Sequence, residues 1–424
     1  MREGARAQAA IEVLTDVIGR RRPAADALKD WMLSHRFAGS KDRAAIGDLV
    51  FGALRWKASS AWRLDQDEPR AWVLGAQRWG FGRPLDQIEQ DFYAPHSPAP
   101  PTEAERAALA REDGLQGAPA WVAGDYPEWL DDSLARAFGD DRGVEGAALA
   151  APAPLDLRAN TLRAQRDGVI AALAESTKLI EAPAQTPYAA NGVRIPWAQG
   201  RTFPWAAEPA FLKGWFEVQD EGSQLAAALA GAKPGDQVAD LCAGGGGKTL
   251  ALAAAMANSG QIYAYDVDPR RLAPLHDRAE RAGVRNLQIR TPRRSGGDLD
   301  DLQGRMDIVF VDAPCTGSGT WRRAPDSKWR LRPNALSNRL GEQQFALDLA
   351  APLVKPGGRL LYVTCSVLPE ENADSVDRFL ARSPQFAPAP LETDAPHRKA
   401  GPGVQFTPRL TGCDGFFVSA LTRR

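Results

Sequence analysis

From Gln219 onward the chain alternates between two periodicities, and that alternation leaves few folds open. A helical run over 223–230 is followed by a Pro234-Gly235 turn, a strand at Gln237–Leu241, a glycine loop at 244–247, a helix, a second strand at Gln261–Tyr265 and another helix. Strands separated by helices run parallel, and a parallel sheet must be covered by helices on its faces. The expected fold class is therefore α/β, a Rossmann-like sheet that binds ligands outside the carboxyl ends of its strands.

The preceding residues follow other rules. At 424 residues the chain exceeds the length at which one hydrophobic core stops growing, roughly 250 to 300 residues. Ile46, Leu49, Val50, Ala53 and Leu54 lie on one helical face, as do Ile11, Leu14, Val17 and Ile18, while Leu28, Trp31 and Met32 mark a helix opened by Pro23 in its first turn. Residues 1–145 are thus expected to be a helical bundle, either a scaffold packet or an RNA-binding adaptor. Proline-rich stretches at 94–103 and 151–154 break the pattern. Alternation over 154–162 and a helical run over 167–174 predict a small α/β connector at 146–218, leaving 219–424 for the parallel sheet.

The glycine loop, Cys242-Ala243-Gly244-Gly245-Gly246-Gly247-Lys248, follows a strand and opens a helix, where bare backbone N–H groups admit a ligand closely. A phosphate-binding P-loop would need glycine where Cys242 stands. The next strand ends at Asp266, 19 residues after Gly247, the position at which nucleoside-binding sheets place an acid for a ribose. A solvated strand-end carboxylate is the plainer alternative. Two later strands, at 307–311 and 359–363, end in Asp312-Ala313-Pro314-Cys315 and Thr364-Cys365-Ser366, so both cysteines are expected to face one crevice. The four cysteines, Cys242, Cys315, Cys365 and Cys413, lie 73, 50 and 48 residues apart, which supplies neither close metal-ligand pairs nor a disulfide framework; no metal is expected.

These segments resemble the RNA cytosine-5 methyltransferases of the Sun/Nop family and, within it, the bacterial RsmB-like branch that acts on rRNA. Besides the glycine loop, the resemblance covers Lys41-Asp42-Arg43 through Arg55, Pro154 through Thr161, Gln219-Asp220-Glu221-Gly222-Ser223-Gln224, Asp312 through Gly319, Arg323-Ala324-Pro325-Asp326, Leu361 through Ser366, Glu370-Glu371-Asn372 and Asp414-Gly415-Phe416-Phe417. It implies a Rossmann-like methyltransferase domain preceded by an all-helical, NusB-like domain and the connector. It further implies that Cys242, Ala243, Gly244, Gly245, Gly246, Gly247, Lys248, Asp266 and Asp312 bind S-adenosylmethionine or line its pocket, that Cys365 is the nucleophile, and that Cys315 releases product.

Physical chemistry agrees with those roles. C5 of cytosine is not nucleophilic until a thiolate adds at C6, so a covalent step must precede methyl transfer. Asp312 is placed to hold the N3 and N4 edge of the base, and Cys315 to take the C5 proton afterwards. The expected substrate is RNA, small-subunit rRNA before tRNA. A catalytically inactive RNA-binding assembly factor and a DNA-type enzyme using the Pro314-Cys315 thiol are the rivals.

Two positions depart from the family: Gly244-Gly245 replaces Ala-Pro, and Arg290-Thr291-Pro292-Arg293-Arg294 occupies the place where an acid usually holds the adenine amine. With a formal net charge of −1, RNA contact must come from local patches. Arg322, Arg323, Lys328, Arg330, Arg332 and Arg339, against Asp326 alone, form one such patch, with Trp321 and Trp329 available to stack on bases; a solvated loop face is the alternative. No apolar run approaches a membrane span of roughly 18 residues, and residues 1–17 lack a secretory apolar core. A cytoplasmic monomer without membrane contact is expected.

Overall fold

The computed structural model describes residues 1–112, 114–292 and 297–424. They form two compact units, Met1–Ala151 with Trp321–Leu331, and Pro152–Thr320 with Arg332–Arg424.

The first unit is helical, as the three-to-four spacing of its apolar residues requires. Helices Glu3–Arg20, Ala24–Ser34, Ser40–Arg55 and Pro69–Gly75 bury Leu14, Val17, Leu28, Ile46, Val50, Ala53 and Trp72 in one core. Pro23 stands at the N-cap of the second helix, one residue before its first turn. Residues 321–331 carry the main departure from expectation. They contribute the short helix Pro325–Arg330, and Trp321, Arg322 and Lys328 are buried. Lys328 Nζ donates to Arg55 O (2.9 Å), Trp329 Nε1 to Leu54 O (2.6 Å) and Arg55 Nη1 to Arg322 O (2.9 Å). The expected RNA patch is therefore broken up: its buried members serve this unit's interior, while Arg323, Arg330, Arg332 and Arg339 are exposed. Charge density along the sequence showed the cations but not the backbone carbonyls waiting for them.

The second unit opens with β1 (Leu155–Ala159), β2 (Ala184–Gln185), β3 (Gly192–Ile195) and β4 (Phe216–Val218), an antiparallel sheet ordered β2-β3-β1-β4. Buried Asp156 on β1 accepts from Arg194 Nε and Nη2, both at 2.7 Å, and from the N–H of Glu221 at 3.1 Å, which ties this sheet to the helix Glu221–Ala228.

The larger sheet contains β5 (Gln237–Leu241), β6 (Gln261–Tyr265), β7 (Leu287–Arg290), β8 (Met306–Asp312), β9 (Val354–Thr364), β10 (Phe386–Ala389), β11 (Arg398–Ala400), β12 (Gly403–Phe406) and β13 (Phe416–Arg423). Its order is β11-β12-β13-β9-β8-β5-β6-β7, with β10 paired beside β13. Strands β5 to β9 pair in parallel, as the alternation predicts, and β13 runs antiparallel to β9. Because β6 follows β5 on one side and β8 lies on the other, the winding reverses between β5 and β8. That reversal opens a crevice at the carboxyl ends of these strands, flanked by the ends of β6 and β9.

Candidate active site

The loop after β5 enters the crevice in a tight left-handed path. Cys242 has φ +63° and Gly246 has φ +82°, and a Cβ on Gly246 would lie 2.1 Å from Leu275 Cδ1. Only glycine meets both conditions at that position. Asp266, at the end of β6, braces the loop: its Oδ2 accepts from the N–H of Gly244 (3.0 Å) and pairs with Arg271 Nη1 (3.1 Å), while Oδ1 accepts from the N–H of Asp268 (3.0 Å). Arg278 Nη1 donates to Gly245 O (2.5 Å) while its Nη2 pairs with Glu217 (2.8 Å). Two arginines of the helix Pro269–Ala282 thus hold the Gly244-Gly245 segment, which has no proline of its own to stiffen it.

Beside this loop lies a cleft of about 830 Å³ lined by Cys242, Tyr265, Asp266, Val267, Arg271 and Phe345, among others. Its size suits a nucleoside-bearing cofactor. Val267 and Phe345 are 56% and 59% exposed, large apolar side chains left uncovered at a cleft whose polar edge is the Asp266 carboxylate. An adenosyl group fits that combination of apolar walls and a ribose acceptor.

On the other side of the crevice the turns after β8 and β9 bring Cys315 Sγ to 3.4 Å from Cys365 Sγ. A buried polar web fixes both turns. Glu371, fully buried, accepts from Thr316 N–H (2.8 Å), Thr316 Oγ1 (2.5 Å), Ser366 Oγ (2.5 Å) and Gln343 Nε2 (3.1 Å), and Gln343 Nε2 also donates to Pro314 O (3.0 Å). Asn372 Nδ2 donates to Ser366 O (2.9 Å) while its Oδ1 accepts from Thr364 Oγ1 (2.5 Å). Gly319 N–H donates to Cys365 O (3.0 Å), and a Cβ on Gly319 would lie 2.0 Å from Gly415 O, so the two cysteine turns and the Asp414-Gly415 turn close on one another.

Charge is distributed unevenly between these groups. Lys248 Nζ donates to Asp312 Oδ2 at 2.6 Å. Burial pulls the Lys248 ammonium down, but the Asp312 charge and hydrogen bond, with a smaller contribution from Cys365, hold it above the usual lysine range. Cys315 is held far above the usual thiol range by its hydrogen bond to Cys365, then by burial and by the Cys365 and Glu371 charges, so at rest it is a thiol. Burial, followed by Asp266 and Asp312, likewise keeps Cys242 protonated. Cys242 lines the cleft.

The expected site residues thus gather around one crevice, Cys242 to Lys248 and Asp266 on the cleft side, Cys315 and Cys365 on the other, with Asp312 and Lys248 joining them. Arg290, named for the adenine position, instead pairs with Asp301 at 2.8 Å; Arg293 and Arg294 lie outside the described residues. Asp298 is close enough to Tyr265, a cleft residue, to raise its phenol after burial has done so. Arg271, Arg278 and Gln343 had no role in the sequence reading, and Thr316, Ser318, Glu371 and Asn372 entered it only as parts of motifs. Among the described residues no helix is long and apolar enough to cross a membrane, and no group of three or more His, Cys, Asp or Glu is arranged to hold a metal.

Residues 227–422 match the family described as 16S rRNA methyltransferase RsmB/F. Over 92% of its length the chain is 36% identical to 93% of ribosomal RNA small subunit methyltransferase B from Erwinia tasmaniensis. The crystal structure of PH0851 superposes with a TM-score of 0.73 at 25% identity, covering 99% of both chains. NSun6 from Pyrococcus horikoshii, solved with SFG, an analogue of S-adenosylmethionine, shares the fold over 70% of this chain and 98% of its own, with a TM-score of 0.61 at 19% identity.

Proposed function

Because the chain belongs to the RsmB/F family of methyltransferases, with S-adenosylmethionine as cofactor, we propose that it methylates C5 of a cytosine in small-subunit rRNA through a covalent bond between Cys365 Sγ and C6 of the base. The observation that carries this reading is the contact of two thiols at neighbouring parallel strand ends beside the Lys248–Asp312 ion pair.

The Cys365 thiolate adds to C6, and the C5–C6 electron pair becomes available at C5. Asp312, about a third exposed and already accepting from Lys248, presents its carboxylate to the N4 amine of the base, while the lysine charge offsets electron density pushed onto the ring. Asp266 and the N–H groups of the glycine loop would hold the cofactor, which when bound supplies the methyl group. Release falls to Cys315. Once Cys365 sulfur is a neutral thioether, its hydrogen bond and charge no longer hold the Cys315 proton. That proton passes to solvent, and the Cys315 thiolate takes the C5 proton. The freed electron pair restores the C5–C6 double bond as the C6–S bond breaks and Cys365 leaves as thiolate. We assign adenine recognition to Asp298 beside Tyr265, the helical residues 1–151 with 321–331 to RNA binding, 152–218 to a connector and the rest of 219–424 to the methyltransferase domain, in a cytoplasmic monomer.

Substitution separates the two cysteines. Cys365→Ala should form no adduct, whereas Cys315→Ala should add, methylate and then stall, leaving enzyme and RNA joined. A denaturing gel would show this as a slow species that requires S-adenosylmethionine and vanishes in the double variant. Normal turnover by Cys315→Ala, or an adduct through Cys315 in the Cys365 variant, would overturn the assignment.

A further inference from the structure

A glycine loop grips a ligand tightly only when its peptide planes are set beforehand, and glycine supplies no stiffness of its own. Four consecutive glycines make that demand acute at Gly244–Gly247. Bonds from the loop and from β6 fix much of the path: Ala243 N–H donates to Tyr265 O (2.9 Å), Gly244 N–H to Asp266 Oδ2 (3.0 Å) and Gly246 N–H to Ala243 O (2.9 Å). Gly245 is held differently. Its carbonyl accepts from Arg278 Nη1 (2.5 Å), so the planar 245–246 peptide is fastened at its oxygen by Arg278 and at its N–H by Ala243. Ideal Cβ atoms on Gly245 and Gly247 would lie 3.2 Å and 4.0 Å from Arg278 Nη1 and Nη2, which places the guanidinium against this stretch in room that only glycines leave.

Arg278 depends in turn on β4. Glu217, 3% exposed, accepts from Arg278 Nε (3.2 Å) and Nη2 (2.8 Å) through one carboxylate oxygen and from Arg281 through the other. That leaves Nη1 as the nitrogen for Gly245 O. Directly opposite Glu217, on β1, stands buried Arg158, whose Nε donates to Gln219 Oε1 (2.6 Å). Burial lowers Arg158 to about 10, with the Glu217 charge opposing that fall and the Arg278 charge adding to it. One carboxylate thus faces three guanidiniums. Without it Arg158 and Arg281 repel Arg278, and Arg278, a quarter exposed, has a way out to solvent.

We infer that Glu217 and Arg278 are positioning residues for the cofactor loop, so that the small antiparallel sheet, through β4, sets the affinity for S-adenosylmethionine. The inference rests on the placement of S-adenosylmethionine at that loop. With the brace in place the cofactor meets peptide groups already oriented. Without it the ordering of Gly245 is taken out of the binding free energy.

The experiment compares Arg278→Met, Glu217→Gln and Arg281→Met in the full chain. Calorimetry gives affinity for S-adenosylmethionine, and amide hydrogen exchange over residues 242–250 is followed in the cofactor-free protein. Arg278→Met should weaken binding by about tenfold, the effect of losing a charged hydrogen bond, and Glu217→Gln by a similar factor. The double variant should lose little more than either alone, since both cut the same chain of contacts. In turnover the loss should fall on KM for S-adenosylmethionine rather than on kcat. Exchange across the loop should be faster in both variants. Arg281→Met removes the other guanidinium on Glu217 without touching the loop, so it should bind as wild type does even where its melting temperature falls. If Glu217→Gln does not fold, the contrast between Arg278→Met and Arg281→Met decides the matter. Wild-type affinity and exchange in Arg278→Met, or equal losses of affinity in the two arginine variants, would refute the positioning role. Faster loop exchange with unchanged affinity would instead refute the placement of the cofactor on which it rests.

Discussion

Gly246 and Asp266 make a single device, one supplying a backbone path and the other holding it. Alanine at position 246 would occupy φ +82° and press on Leu275, a strain of about 1–3 kcal/mol before any steric relief. Gly246→Ala should therefore weaken S-adenosylmethionine binding by tenfold or more in calorimetry, with a lowered melting temperature; wild-type affinity would remove the loop path from the binding argument. Asp266→Ala should act on the same quantity by another route, because it frees the N–H groups of Gly244 and Asp268 and leaves Arg271 without its partner. Unchanged affinity there would take Asp266 out of the site. Both residues were legible in the sequence, since their types and spacing carry their geometry. Glu371 was legible only as part of a motif: it lies six residues beyond Cys365 and reaches Thr316 from the end of another strand, and nothing local marks that contact.

Among the elements, β5 carries a titrating group beneath the site. Asp240 is fully buried; Thr249 Oγ1 donates to its Oδ2 (2.6 Å), and its Oδ1 has no hydrogen-bond partner among the described residues. Burial raises it to about 7 from an ordinary 3.8, opposed by Thr249 and assisted by Asp312. Between those two values the folded protein keeps a proton that the unfolded chain has released. The carboxyl therefore favours folding at the acid end, and that contribution is lost as pH rises through 7. Urea unfolding at pH 5 and pH 8 should show wild type losing on the order of 2–3 kcal/mol relative to Asp240→Asn. A parallel pH response in the two proteins would mean that Asp240 is ionised throughout. At this scale the parallel strands could be read from alternation with helices, including the ends of β8 and β9 where the cysteines stand. The antiparallel edge of β10 to β13 could not, because its pairings join distant segments and no short-range period announces them.

For the whole molecule, the sequence suggested that positive charge after Cys315 meets RNA, whereas the fold takes Arg322 and Lys328 into the helical interior. A buried ammonium releases no counterion on RNA binding, so Lys328→Met should leave the slope of log affinity against log salt at the wild-type value. A slope reduced by about one would return Lys328 to the RNA-facing surface. The helical character of residues 1–151 was legible from periodicity, but not its need for residues 321–331, because a segment borrowed from far along the chain leaves no trace in local spacing. That borrowing also orders events during synthesis. The helical unit emerges first from the ribosome, yet Leu54 O and Arg55 O wait for donors on a segment made about 180 residues after the end of that unit's first part. At 5–20 residues per second the delay is roughly 10–40 s. Throughout it the amino-terminal helices stand as an unfinished shell, open to chaperones and proteases, and the last piece of their core arrives directly behind the turn that carries Cys315.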